Sequence, residues 1–244
     1  MEIKNFDQLD LSPEVLKVVK KNGFDKPTPV QAKTIPPMLE WRDVIAKAPT
    51  GTGKTYAFGI PIVEHINLED DRVQALILAP TRELALQITS ELRDICQFIN
   101  GIKVVCVYGG QQIAVQLKAL KRNPQIVVAT PGRLLDHLNR RTIRLGAVET
   151  VVLDEADRMV DMGFFKDVTK ILDRTTYRVN LALLSATLSR DVMTIGWMYQ
   201  RDAVEITVNE DAENKPDILQ YSIKVNEIEK PKAIVHMIEK EGYD

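Results

Sequence analysis

Two stretches of the chain carry residue types suited to phosphate chemistry. Ala48-Pro49-Thr50-Gly51-Thr52-Gly53-Lys54-Thr55 follows a short apolar run, Val44–Lys47, and precedes a helical pattern. A glycine-rich turn between strand and helix points successive backbone N–H groups inward at a helix N-terminus, a geometry that binds phosphate. In such a loop Lys54 reaches the β- and γ-phosphates of a nucleotide, and the Thr55 hydroxyl ligates Mg²⁺. The usual pattern opens with glycine. Ala48 stands in that place, while Gly51 and Gly53 still supply permissive backbone. A glycine-rich turn with an exposed lysine is the bland alternative.

The second stretch is acidic. Val151-Val152-Leu153 runs straight into Asp154-Glu155-Ala156-Asp157. A carboxylate at the C-terminal end of a buried strand, in the same sheet as the phosphate loop, can hold Mg²⁺ through its water shell. Glu155 then lies close enough to orient or deprotonate a water attacking the γ-phosphate. Magnesium prefers hard oxygen ligands and keeps waters, so one Asp with one Thr hydroxyl suffices. Alone, the tetrad could be a solvated acidic loop. With Lys54 and Thr55 it defines a nucleotide triphosphatase.

Other polar residues sit where local structure also explains them. Thr28-Pro29-Val30-Gln31 is a good helix start, with Thr as N-cap, Pro at the first position and Gln three residues after the cap. A Gln amide both donates and accepts, so Gln31 can also pair with the N6 and N7 edge of adenine. Arg82, Thr130 and Arg133 follow apolar runs and suit a phosphate backbone better than a base edge. Residues alone define only a second anion site, with helix capping by Thr81 and Thr130 as the competing explanation. Ser or Thr near Ser185–Ser189 can cap a helix starting there. The basic stretches Lys118–Arg122 and Arg140–Arg144 read as solvated helix ends that could assist an anionic polymer.

Positioning these residues requires a sheet. Strands are expected at Val44–Lys47, Ala75–Ala79, Val104–Tyr108, Ile126–Ala129, Val151–Leu153, Leu181–Leu184 and Val204–Val208. Their interiors are rich in Val, Ile and Leu without polar alternation, as in strands buried on both faces. Helical patterns lie between them, the clearest being Leu84, Ile88, Leu92, Ile95 and Ile99. Strand and helix in alternation predict an α/β fold with a mainly parallel sheet. The polar stretch Asn209–Asp217 reads as a linker. Beyond it, Ile218–Val225 reads as a strand and Ile228–Lys240 as a helix, too little to bury a core alone.

Composition limits the function classes. The net charge of −2, from mixed charges making up 27% of residues, excludes a broadly basic nucleic-acid binder, so contact with RNA or DNA must be local. No apolar run approaches the roughly 20 residues that cross a bilayer. Met1–Asp10 has no signal-peptide pattern. Cys96 and Cys106 sit in apolar periodic segments, suited to core packing and a reducing, cytoplasmic address.

Taken in order, the motifs resemble those of the DEAD-box RNA helicases of superfamily 2. They comprise Phe6; Gly23-Phe24 with Pro27-Thr28-Pro29-Val30-Gln31; the Ala48–Thr55 loop, where alanine is itself usual in the family; and Pro80-Thr81-Arg82-Glu83-Leu84-Ala85. Gly109-Gly110, Thr130-Pro131-Gly132-Arg133, the tetrad and Ser185-Ala186-Thr187 complete the set. The resemblance covers nearly all of residues 6–209. It implies a RecA-like three-layer sandwich (a P-loop NTPase fold) over residues 1–209, a linker at 210–217 and the start of a second such domain at 218–244. It further implies ATP and Mg²⁺, with Phe24 stacking on the base, Phe6 supporting that region, Gln31 reading adenine, and Lys26 and Thr50–Thr55 completing the nucleotide site. Lys54 and Glu155 would be catalytic, and Thr55 and Asp154 would hold the metal.

The same resemblance gives Pro80, Thr81, Arg82, Gly109, Gly110, Thr130, Gly132 and Arg133 to single-stranded RNA or a short duplex. Asp157, with hydroxyl bonds from Ser185 and Thr187, would couple hydrolysis to unwinding. The second RecA-like domain supplies an arginine to the transferring phosphate in this family, an element worth ~10³–10⁵ in rate. The 244 residues alone are therefore expected to bind adenine nucleotide weakly and turn it over negligibly. A small-molecule P-loop kinase and a non-catalytic RNA clamp are the alternatives. The first leaves Gln31 and Thr130–Arg133 without a purpose, and intact Lys54, Asp154 and Glu155 argue against the second.

Overall fold

The computed structural model describes residues 3–208 and 222–241. The chain divides into two units, Met1–Asn209 and Glu210–Asp244. The first holds seven strands: β1 (Val44–Lys47), β2 (Ala75–Leu78), β3 (Val104–Val107), β4 (Ile126–Ala129), β5 (Thr150–Asp154), β6 (Asn180–Ser185) and β7 (Val204–Thr207). Its helices are α1 (Pro13–Lys21), α2 (Pro29–Leu39), α3 (Lys54–His65), α4 (Arg82–Ile95), α5 (Ile113–Leu120), α6 (Pro131–Asn139), α7 (Ala156–Asp161), α8 (Phe165–Leu172) and α9 (Arg190–Tyr199).

The strands form one sheet in the order β3-β4-β2-β5-β6-β1-β7. Every pairing is parallel. Successive strand side chains point to opposite faces. In β2, Ala75 and Ile77 join a core with residues of α1 to α4, whereas Leu76 and Leu78 join a second core with residues of α6 to α9. Both cores are closed to water, which is why β2, β4 and β5 lack polar alternation; the edge strand β7 departs from expectation, with Glu205 and Thr207 exposed and Ile206 buried. The result is the α/β three-layer sandwich expected.

Local sequence sets the helix starts. Ser12, Thr28, Thr81 and Ser189 each accept a hydrogen bond from a backbone N–H of the helix they precede. Close packing of α3 on α4 depends on Gly59: a Cβ there would come within 2.7 Å of Ile95 and 3.1 Å of Leu92. Leu92 and Ile95 are fully buried, and truncating such a leucine costs about 2–5 kcal/mol.

Several boundaries differ from expectation. The stripe through Leu84 and Ile95 is helical, but α4 stops at Ile95, and Ile99 packs from beyond the helix end. Strand β5 extends to include Asp154, and β6 to include Ser185, because both residues still pair with their neighbours, Leu184 and Lys47. The linker expected at 210–217 lies outside the described residues. So does the first half of the strand expected at Ile218–Val225; among the described residues, Ser222–Val225 have no regular secondary structure and are exposed or half-buried. The helix expected next is present as α10 (Lys230–Glu241). No helix among the described residues is long and apolar enough to cross a membrane.

Candidate functional site

Parallel strands bring all their C-terminal ends to one edge, where ligands bind in open α/β sheets. The strand order divides the motifs along that edge. Neighbours β5, β6 and β1 lead into the acidic tetrad, Ser185–Thr187 and the phosphate loop. Neighbours β3, β4 and β2 lead into Gly109-Gly110, Thr130–Arg133 and Pro80–Arg82.

In the phosphate loop Gly51 and Gly53 both take left-handed backbone, φ +77° and +87°, and Gly53 is the N-cap of α3. The Thr52 hydroxyl donates to the Pro49 carbonyl at 2.9 Å, and the Ala48 amide donates to the Ser185 carbonyl, also at 2.9 Å. Lys54 is buried, its ammonium donating to the carbonyls of Ala48 (3.0 Å) and Pro49 (3.2 Å). Thr55 is buried beside it. A cation, a hydroxyl and a helix N-terminus thus meet at a single turn.

Asp154 is 3% exposed. Burial pushes its carboxyl up from 3.8 to about 6, against the attraction of Lys54 and with the repulsion of Glu155. One oxygen accepts the Glu155 amide at 3.0 Å. An ionised carboxylate placed so needs a cation. Glu155 is held at φ 50°, ψ 51°, left-handed backbone that costs a residue other than glycine about 1–2 kcal/mol. Arg158, three residues on, donates to its Oε2 at 3.1 Å.

The last tetrad carboxylate faces β6. Asp157 Oδ2 accepts both the Thr187 hydroxyl and the Thr187 amide, each at 2.8 Å. Ser185 Oγ instead accepts the Asp157 amide (3.1 Å) and donates to the Thr187 carbonyl (2.7 Å). Ser185 thus meets the tetrad as an acceptor of its backbone amide, while its own hydroxyl proton goes to Thr187. Burial raises the Asp157 carboxyl, but hydrogen bonds led by Thr187 outweigh it and hold the pKa below its ordinary value.

Gln31 completes a capping box with Thr28: Oε1 accepts the Thr28 amide at 3.0 Å, and Thr28 Oγ1 accepts the Gln31 amide at 3.4 Å. Its Nε2 also donates to the Gly53 carbonyl at 3.1 Å. Phe24 is 39% exposed, its ring edge-on to Tyr56 at 5.0 Å. Phe6 is buried in the core, and Lys26 is exposed. The support behind Phe24 is an addition to the motif residues. The Tyr56 hydroxyl donates to Asp94 Oδ2 (2.8 Å), and Asn22 Nδ2 donates to both (2.9 and 2.6 Å). Tyr56 follows Thr55 directly, but nothing local in sequence pairs it with Asp94.

On the other half of the edge, Arg82 lies over the Tyr108 ring, 5.0 Å from Cζ to centroid. Thr81 caps α4 through its hydroxyl, whereas Thr130 occupies the cap position of α6 without a side-chain cap bond. Capping thus accounts for Thr81 and not for Thr130. Pro80 is buried, and Gly109, Gly110 and Gly132 are exposed. Arg133 turns inward, its Nη1 donating to the Gln111 carbonyl (2.9 Å) and Gln116 Oε1 (3.1 Å). Arg140 pairs with Asp136 at 2.7 Å, and Lys118, Lys121, Arg122, Arg141 and Arg144 are solvent-exposed. Among the described residues no three His, Cys, Asp or Glu side chains converge on a metal position.

This arrangement defines a RecA-like nucleotide-binding domain. Residues 28–195 match the family model described as "DEAD/DEAH box helicase", and the chain belongs to that family. It is 44% identical over 234 residues to the DEAD-box ATP-dependent RNA helicase CshA of Geobacillus kaustophilus, spanning 96% of this chain and 50% of that protein. It is 45% identical over 225 residues to the ATP-dependent RNA helicase CshA of Listeria monocytogenes, spanning 92% and 43%. The chain thus spans about half the length of the curated relatives it matches. A crystal structure of a DEAD box protein from the hyperthermophile Methanococcus jannaschii superposes with a TM-score of 0.82 at 39% identity, covering 100% of this chain and 65% of that one.

Proposed function

We propose that this chain is the ATP-binding core of an RNA-dependent ATPase that locally unwinds or remodels short RNA duplexes and RNA–protein complexes. The observation that supports it most is the division of one sheet edge: triphosphate chemistry at the ends of β5, β6 and β1, and the RNA motifs at the ends of β3, β4 and β2. The names of the relatives, ATP-dependent RNA helicases, agree with this reading. On it, residues 1–209 form the first helicase domain, 210–217 the linker, and 218–244 the opening of the second.

The donor set fits a magnesium nucleotide. Asp154 is a buried carboxylate in need of a cation, and Thr55, next to Lys54 at the start of α3, offers a neutral oxygen. When bound, Mg²⁺ neutralises phosphate charge. Phe24 offers a ring face to a base, and Gln31 an amide to adenine. The N–H groups of Thr50–Thr55 and the Lys54 ammonium bind phosphate oxygens. Glu155 orients a water and takes its proton. Asp157, through Thr187, ties the tetrad to β6 and couples hydrolysis to unwinding. Pro80, Thr81, Arg82, Gly109, Gly110, Thr130, Gly132 and Arg133 receive the RNA backbone. Free cysteines at Cys96 and Cys106 suit a cytoplasmic address.

The chain alone should bind Mg·ATP weakly in a Lys54-dependent manner and hydrolyse it negligibly, with or without single-stranded RNA. An arginine supplied by the rest of such a protein is needed for turnover. Isothermal titration with wild type and Lys54→Ala, alongside phosphate release with oligouridylate, checks both parts. Equal affinity of the two proteins would overturn the nucleotide site. RNA-stimulated turnover abolished by Glu155→Gln would overturn the predicted inactivity.

A further inference from the structure

Behind the three segments assigned above to RNA lies one buried side chain that touches two of them and, through a shared residue, reaches the third. Gln116 of α5 is 1% exposed. Its Nε2 donates to the Tyr108 carbonyl at 2.9 Å, immediately before Gly109-Gly110. Its Oε1 lies 3.1 Å from Arg133 Nη1 and 2.8 Å from His137 Nε2, both on α6. Arg133 also grips the Gln111 carbonyl at 2.9 Å, just past Gly110. The Tyr108 ring in turn carries Arg82 of the Pro80–Arg82 segment.

Proton inventory fixes the polarity of this cluster. A backbone carbonyl can only accept, so the Gln116 amide group must face Tyr108 and its oxygen must face Arg133 and His137. Arginine always donates, and His137 must therefore carry its proton on Nε2. In the neutral ring Nδ1 is a lone pair that accepts the Thr142 hydroxyl at 2.8 Å, the His137 carbonyl at 3.1 Å being that hydroxyl's other acceptor. Burial, reinforced by the charge of Arg133, holds the His137 pKa down, in keeping with this neutral ring. Gln116, Arg133 and the Nε2 edge of His137 thus each have one compatible orientation, and a buried network satisfied in this way specifies geometry.

We infer that Gln116, oriented by His137, is a positioning residue that holds the Tyr108–Gln111 turn, Arg133 and, through Tyr108, Arg82 in one register for an RNA backbone. The inference rests on the RNA reading of those segments. Gln116 touches no RNA itself. It directs the Nη1 edge of Arg133 inward and so sets which face of the guanidinium is offered to phosphate.

The test is anisotropy of fluorescein-labelled oligouridylate on the 244-residue chain at low salt, with Mg·ATP affinity and thermal unfolding measured on the same preparations. Gln116→Leu is expected to weaken oligouridylate binding by about tenfold or more, as loss of buried partners for Arg133 and Tyr108 implies, while Mg·ATP affinity stays within about twofold. Gln116→Glu, which keeps the acceptor for Arg133 and His137, is expected to recover part of the loss. His137→Asn serves where Gln116→Leu fails to fold, and should weaken RNA alone. Unchanged oligouridylate affinity in folded Gln116→Leu, or equal losses for RNA and nucleotide, would overturn the inference while leaving the RNA reading intact. Failure of the wild-type chain to bind oligouridylate better than a duplex DNA control would overturn the RNA reading, and this inference with it.

Discussion

Gln31 and Gly53, separated by 22 residues, meet through a side-chain amide and a backbone carbonyl 3.1 Å apart, joining the cap of α2 to the phosphate loop. A glutamine amide has two hydrogens and its oxygen two lone pairs, so bonds to Gly53 and Thr28 use half its capacity. The other half remains for an adenine edge. Capping and the base reading proposed above are thus compatible, and on that proposal the base reader is mechanically tied to the phosphate loop.

Gln31→Ala is therefore expected to do two separable things. Loss of the capping-box oxygen and the loop bond should lower stability by about 1–2 kcal/mol, read by urea unfolding. The preference for ATP over GTP should vanish, read by competition titration. An unchanged preference would mean that Gln31 only caps.

The two loop glycines should respond differently to alanine. Both have positive φ, but a Cβ on Gly51 meets nothing within 4 Å, whereas one on Gly53 comes within 2.6 Å of Gln31 Nε2. Gly51→Ala should cost roughly 1 kcal/mol of backbone strain, and Gly53→Ala more, with a larger loss of nucleotide affinity. Chemical unfolding and titration of both variants check the order.

Asp154 makes the fold's stability depend on pH in a stated direction. Its pKa is raised on folding, so the native state binds more protons than the unfolded chain between pH 3.8 and about 6. Its contribution falls as pH rises through that window and is wholly unfavourable above it. Asp154→Asn should raise stability at pH 7.5, by up to about 3 kcal/mol, with the gain shrinking toward pH 4. The same variant should lose magnesium-dependent nucleotide affinity, and wild-type affinity should weaken below about pH 6. Unfolding curves at several pH values, with and without Mg·ADP, report all three.

Asp157 is of the opposite kind. Its lowered pKa means that the bonds from Thr187 stabilise the fold above the ordinary carboxylate value and are lost as acid protonates the group. Thr187→Val should cost about 1 kcal/mol at neutral pH, discounted for partial exposure, and less in acid. A double-mutant cycle with Asp157→Asn should show a coupling energy of similar size. Additive effects would mean the contact contributes nothing.

Much of this was legible in the residues. The inner runs of Val, Ile and Leu marked the strands because buried parallel strands need no polar face, the edge strand β7 being the exception with Glu205 and Thr207 exposed, and Thr28 with Gln31 announced its own capping box. What stayed hidden depends on residues far apart in the chain. Nothing near Gln31 signals Gly53, nothing near Tyr56 signals Asp94, and nothing near Arg133 says that its guanidinium turns toward Gln116. Thr130 stands where a cap belongs yet makes no cap bond, and Ser185 gives its hydroxyl proton to the Thr187 carbonyl while accepting the Asp157 amide. Side-chain direction at a loop depends on packing from several elements, which local spacing does not encode.

Asp154 and Glu155 set folding and chemistry at odds in two adjacent residues. One carries a desolvated carboxylate, the other a left-handed backbone that glycine would adopt freely. Asparagine at the first position and glycine at the second would each relax the native state. A directed-evolution campaign that rewarded heat resistance alone would therefore erode this pair early and return robust proteins without the chemistry proposed for it. Keeping both carboxylates would require a second selection at every round, for turnover by the longer protein of which this chain is proposed to be the ATP-binding core.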